Sequence, residues 1–142
     1  MTAVFVDASP LYALNSLHDQ YHLKSQALLK SIKKQRLKMV TTDYVVDEAL
    51  TVLITSRKGG YHFALNLLKY LFGKSKDNSM IKIEWISQDR FRLAAEIFRR
   101  YNRDKTWSFT DCASFTVMKE LKIKTAFTFD DHFEQMGFKI LG

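Results

Sequence analysis

One cysteine, Cys112, and one proline, Pro10, stand in a chain of 142 residues. A lone thiol cannot form an intramolecular disulfide, which excludes a stapled secreted scaffold and fits a reducing compartment such as the cytoplasm. No apolar run approaches the roughly 18 to 20 residues that a bilayer span needs, so no membrane association is expected. The opening MTAVFVDASPLYAL lacks a basic leader and carries Asp7 inside its apolar stretch, so no signal peptide is expected either. There is no Gly-rich phosphate loop and no dinucleotide-binding fingerprint. The histidines His18, His22, His62 and His132 find no His or Cys partner at zinc-ligand spacing; His18 and His22 are four apart but straddle an expected helix break. Cys112 reads as a packed small apolar residue rather than a nucleophile. Repeats, low-complexity tracts and linkers are missing too, and the length suits one domain over 1–142 with its own core.

Positive charge is plentiful. Lysine and arginine number 22 against 15 aspartates and glutamates, a net charge of +7 and a pI near 9.5. That balance favours a polyanionic partner, most often nucleic acid. Hydrophobic residues at 46% and charged residues at 26% are otherwise those of an ordinary soluble globular chain.

Apolar runs and helical periodicities alternate along the chain. Ala3 to Val6 reads as a buried strand, with Ser9 and Pro10 as cap and first position of a helix to Leu17. A helix from Tyr21 to Gln35, a strand from Met39 to Thr41 and a helix from Thr42 or Asp43 to Arg57 follow. Gly59-Gly60 breaks the pattern before a helix from Tyr61 to Phe72, and Gly73 to Ser79 reads as a polar loop. Then come a strand from Ile81 to Ile86, helices from Arg90 to Tyr101 and Phe109 to Leu121, and strands from Thr125 to Phe129 and Phe138 to Leu141. Strands separated by helices, without hairpin turn signals, predict an α/β sandwich with a mainly parallel sheet.

In such sheets ligands bind beyond the carboxyl ends of the strands. Asp7 and Asp130 directly follow predicted strands, Glu48 sits in the second turn of the helix after strand two, and Asp111 in the first turn of a later helix. Each has a plain reading: Asp130 caps a short helix through Phe133, and Asp111 is a helix-start acid favoured by the macrodipole. Asp7 has less of one, since Ser9 already supplies a cap. Glu48 shares a helix face with Val45, Ala49 and Val52, and a carboxylate there needs a partner. Carboxylates about 5 Å apart repel by roughly 3 kcal/mol per pair at an effective dielectric of 20. Such a cluster persists at neutral pH only with protons or cations. All-oxygen ligation selects a hard ion, Mg²⁺ or Mn²⁺, which suits hydrolysis of a phosphodiester by activating water and stabilising the leaving oxygen.

The segments FVDASPLYAL, TTDYVVDEAL, SFTDCASF and TFDDHFEQMGFKIL resemble, in order, the four signature blocks of PIN-domain proteins. The likeness spans essentially the whole chain, and the size is similar to VapC-type toxins of toxin–antitoxin pairs. The resemblance implies a three-layer α/β/α sandwich with four to five strands, Mg²⁺ or Mn²⁺, and single-strand RNA cleavage. It implies Asp7 and Asp111 as direct metal ligands. Glu48 then binds metal or orients its water, and Asp130, rather than Asp131, holds a second metal or a metal-bound water. Ser9 and Thr110 become hydrogen-bond donors behind the carboxylates, and Asp47 a surface acid. A cognate antitoxin is a possible partner. An aspartyl phosphatase would need a second acid where this chain has Ser9. A PIN module that binds RNA or a partner without cutting remains the alternative.

Two basic groups offer RNA contacts: Lys30, Lys33, Lys34, Arg36 and Lys38, and Arg99, Arg100, Arg103 and Lys105 beside Trp107. The second leads into the Asp111 helix and is the better candidate, although arginines also suit a helix C-terminus. Finally, the apolar side chains of Tyr61 to Phe72 cover an arc of roughly 220°, about twice what a single core requires. A homodimer through this helix and the preceding one is expected, with an antitoxin sharing part of the surface.

Overall fold

The computed structural model describes residues 2–56, 59–73 and 81–142. The elements run β1 (Ala3–Val6), α1 (Ala8–Asn15), α2 (His22–Lys34), β2 (Lys38–Thr42), α3 (Asp43–Ser56), α4 (Gly60–Phe72), β3 (Ile81–Glu84), α5 (Gln88–Tyr101), α6 (Phe109–Leu121), β4 (Thr125–Phe127), α7 (His132–Gln135) and β5 (Lys139–Leu141). The strands form one sheet in the order β3-β2-β1-β4-β5, with every neighbouring pair parallel. A central parallel strand is covered on both faces and needs a continuous apolar run. Val4, Phe5 and Val6 of β1 supply it and are fully buried.

From β1 the chain steps outward to β2 and β3, then returns across the sheet to β4 and β5. With right-handed crossovers this places α1 to α4 on one face and α5 to α7 on the other, the expected three layers. Packing agrees: α1 lies on α2, α3 and α4, while α5 lies on α6. The reversal falls between β1 and β4, and a crevice opens at the carboxyl ends of strands on either side of such a point.

Several local expectations are corrected. Ser9 does not cap α1: the helix begins at Ala8 with Asp7 at the N-cap position. The Ser9 hydroxyl instead accepts a hydrogen bond from the Phe129 N–H at 3.0 Å, so tertiary contact overrides local capping. Pro10 is therefore the third helical residue, where its missing N–H still costs nothing. Strand β4 ends at Phe127, so Asp130 lies three residues beyond it rather than next to it. The Thr42 hydroxyl does cap α3, accepting from the Val45 N–H at 3.1 Å. The expected helix end at Arg57 and the loop after Gly73 lie outside the described residues.

Gly59 has a left-handed backbone (φ 88°), and Gly60 opens α4 against α3. A Cβ at Gly60 would stand 2.1 Å from the Leu53 carbonyl oxygen, a backbone atom that cannot rotate away. Leu53 and Leu67, both buried, pack the same pair of helices. Gly60→Ala is therefore expected to cost about 1–3 kcal/mol or more, as overpacking does. A thermal melt should show a clear drop for this variant and a smaller one for Gly137→Asn, whose added Cβ meets no atom within 4 Å although its φ of 101° strains any side chain.

Candidate active site

The carboxyl ends of β1 and β4 meet at one buried hydrogen-bonded junction. Asp7, 4% exposed, follows β1, and its N–H donates to the Phe127 carbonyl at 3.0 Å, carrying the pairing one residue past the strand. Its Oδ2 accepts the Thr128 hydroxyl at 2.8 Å. That same hydroxyl oxygen accepts the Asp130 N–H at 3.0 Å, so one threonine fixes two of the four acids. Ser9 completes the junction through Phe129 and lies 3.5 Å from the Thr128 hydroxyl.

Asp111 comes from the first turn of α6. It forms a reciprocal capping box with Ser108, whose hydroxyl accepts the Asp111 N–H while the Ser108 N–H donates to Asp111 Oδ2 at 3.1 Å. Nδ1 of His132 lies 2.8 Å from that same oxygen and 3.3 Å from Oδ2 of Asp130. Glu48, one turn along α3 from Tyr44, reaches the same place. Asp7, Glu48, Asp111 and Asp130 thus line one pocket of about 320 Å³, together with Ala8, Ser9, Tyr12, Tyr21, Phe129 and Asp131.

The charges in this pocket disfavour one another. Burial pushes the Asp7 carboxyl up to about 7, against the lowering pull of the Thr128 hydrogen bond. Burial also raises Glu48, followed by the charges of Asp111 and Asp130. For Asp111, burial outweighs the opposing His132 and Ser108 hydrogen bonds and the net shift is upward. Burial would lower His132, but its hydrogen bond to Asp111 and the charges of Asp130 and Asp111 raise it. The pocket takes up positive charge wherever it can.

A hard divalent cation fits this donor set. The carboxylates are oxygen donors, and one ligand atom each from Asp111, Asp130 and His132 lie within 4.8 Å of one another. A cation would let the buried Asp7 ionise at neutral pH.

The PIN domain family pattern matches residues 4–139. The chain belongs to the PIN-domain family. Among its PIN-domain relatives, a VapC ribonuclease of Archaeoglobus fulgidus is 27% identical over 123 residues, 86% of this chain and 74% of that protein. The 23S rRNA-specific endonuclease VapC20 of Mycobacterium tuberculosis is 27% identical over 135 residues, 95% of each chain. The crystal structure of that VapC20, described as a sarcin–ricin loop cleaving toxin, superposes with a TM-score of 0.81 at 26% identity, covering 96% of each chain. The PIN fold and the mainly parallel sheet are therefore as expected.

Other candidates are placed less favourably. Trp107 is a correction: it is 4% exposed, packs edge-on against Phe115, and its indole N–H donates to Gln135 at 2.9 Å, so no base can stack on it. Arg99 pairs with Glu96, and Lys105 with Asp104 at 3.1 Å. Arg100 lies over the Tyr101 ring in a groove with Lys119 and Glu120, about 12 Å along α6 from Asp111. Arg103 is exposed. Thr110 does not line the pocket; its carbonyl accepts from Ser114, and the hydroxyl donor is Thr128. Cys112 is buried with its thiol pushed up to about 11 by burial and the Asp111 charge, as befits a packed residue.

His132 and Thr128 were legible only in part. Each stands two residues from Asp130, a spacing that returns a side chain to the same turn. A search for His and Cys partners alone passes over a histidine that pairs with aspartates.

The Asp7 shift fixes a pH dependence. The unfolded carboxyl ionises near 3.8 and the folded one near 7. Between those values the fold keeps a proton that the unfolded chain has lost, so metal-free stability falls as pH rises from about 4 to about 7 and stays low above. Asp7→Asn should then melt higher than the native chain in EDTA at pH 8, with the gap closing near pH 4. A lower melting temperature for the variant at pH 8 would contradict this.

Proposed function

We propose that this chain is a divalent-metal-dependent endoribonuclease that hydrolyses RNA phosphodiester bonds, and that it acts as the toxin of a toxin–antitoxin pair in the cytoplasm. The observation that carries this reading is the convergence of Asp7, Glu48, Asp111 and Asp130 in one pocket at the sheet's carboxyl edge. The names of its PIN-domain relatives support it, and make a ribosomal RNA loop the first substrate to try. We read residues 1–142 as a single PIN domain.

Asp7 and Asp111 are the ligands we assign first, with Glu48 and Asp130 completing the set around Mg²⁺ or Mn²⁺. Such an ion, when bound, supplies Lewis-acid activation of water and of the scissile phosphate. The residues themselves provide the rest. Thr128 holds Asp7 and Asp130 in mutual register. The Ser108 capping box fixes the Asp111 rotamer before any ligand arrives. Glu48, raised first by burial and then by its acidic neighbours, is suited to accept a proton from water. The exposed guanidiniums of Arg99, Arg100 and Arg103 offer phosphate contacts farther along the strand.

Asp7→Asn or Asp111→Asn should reduce Mn²⁺-stimulated cleavage of single-stranded RNA by more than about 100-fold while leaving the fold intact. EDTA should abolish cleavage by the native chain. If the native chain binds RNA but does not cut it with either ion, the non-cleaving PIN module is the better reading.

We also propose a homodimer through α3 and α4, with an antitoxin sharing that surface. Ala64, Leu67 and Leu71 bury one face of α4, whereas Tyr61, Leu68 and Phe72 stay exposed, with Ile54 exposed on α3. A competing apolar face carries Phe91 and Phe98 on α5. Leu68→Asp should convert a dimer to a monomer in sedimentation at tens of micromolar. A monomeric native chain sinks the dimer, and dissociation by Phe98→Asp alone moves it to α5.

A further inference from the structure

The pocket that holds the four carboxylates has an aromatic wall. Tyr21 and Phe129 both line it, with ring centroids 4.2 Å apart and planes within 9° of parallel. Phe129 packs against the core; Tyr21 is not among the residues packed on it, and both rings stay partly exposed. Its position is nevertheless set. The Tyr21 N–H donates to Asp19 Oδ1 at 2.8 Å, and its carbonyl accepts the Ser25 N–H at 2.8 Å where α2 begins. Phe129 is held through its N–H on Ser9. One turn on from Tyr21, the exposed Lys24 brings its ammonium to 5.7 Å from the Phe129 centroid.

This arrangement differs in kind from the rest of the pocket. Five lining residues are acidic, and those repel an incoming polyanion unless cations intervene. The Tyr21–Phe129 pair with Lys24 instead joins a flat π surface to one cation, the combination on which single-stranded nucleic acids are held. A phosphate drawn to the carboxylates must have its flanking nucleosides within reach of the pocket wall. Trp107, beside the basic stretch, is sealed in the core, and the exposed Tyr101 lies on α5 outside the acidic pocket, so neither supplies this wall.

We propose that Tyr21, backed by Phe129, is a stacking platform for an unpaired nucleobase next to the scissile phosphate, and that Lys24 contacts the backbone phosphate of that nucleotide. The inference rests on the ribonuclease reading and adds to it a base-binding site. Stacking uses a π face that every base has, so the site confers affinity for an extruded base, stronger for purines than for pyrimidines, without reading sequence.

The test uses the full chain and a short single-stranded RNA carrying 2-aminopurine, in an Asp7→Asn background so that the RNA stays intact. Binding should quench the 2-aminopurine fluorescence when the probe sits beside the cleavage site. Tyr21→Ala should remove the quenching and weaken binding about 10-fold, and Tyr21→Phe should restore both. Lys24→Ala should lower the slope of log K against log salt by about 0.7. Mn²⁺ affinity, read by calorimetry with Tyr21→Ala in the otherwise native chain, should not change, which separates the platform from the metal site. If the native chain cuts RNA while Tyr21→Ala retains quenching and affinity, the platform is overturned and the ribonuclease reading stands. If the native chain neither binds nor cuts RNA, both fall.

Discussion

Asp7 is a carboxylate buried at the end of the central strand, where its charge is poorly solvated. Desolvation there is the constraint from which the arrangement of the site follows. The acid must stay protonated or have a cation brought to it, and three further acids are set so that a cation is the better solution. Thr128 and the Ser108 capping box hold those acids in place despite their repulsion. His132, between Asp111 and Asp130, offers the same two carboxylates a smaller share of positive charge. The molecule as a whole is basic, so its field draws in polyanions while the pocket itself is acidic. A divalent ion between phosphate and carboxylates would reconcile those two features.

Much of the fold was legible because it depends on periodicity. The apolar Ala3 to Val6 run reads as a buried strand, and Phe109 to Leu121 as a helix with Asp111 in its first turn, although its Ser108 cap goes unread. The order of elements places Asp7, Glu48 and Asp111 at one edge by topology alone. Most of what escaped depends on partners outside any local window. Ser9 looks like a cap in any local window, yet its hydroxyl serves Phe129, 120 positions away. Thr128 is an unremarkable β-branched residue until Asp7 lies beneath it. Trp107 sits among arginines in sequence and inside the aromatic core in space, because the chain turns inward at Asn102, whose side chain bonds the Trp107 backbone on both sides.

The aromatic residues divide accordingly. Phe5, Phe115 and Phe133 make tilted or edge-on contacts within the core, where packing decides geometry. Tyr21 and Phe129 lie nearly parallel at the rim of the acidic pocket. The site therefore pairs a hard, charged floor with a soft, uncharged side wall, a division suited to a ligand that is itself part phosphate and part heterocycle.

The contact between Gly60 and the Leu53 carbonyl also bears on how a partner can act. Two helices that meet backbone to backbone have no side chain between them to yield, so the joint between α3 and α4 is stiff. Glu48 lies on α3 a little over one turn from Leu53. A load placed on α4 from outside would therefore fall on the helix that presents a pocket carboxylate, well away from the pocket mouth.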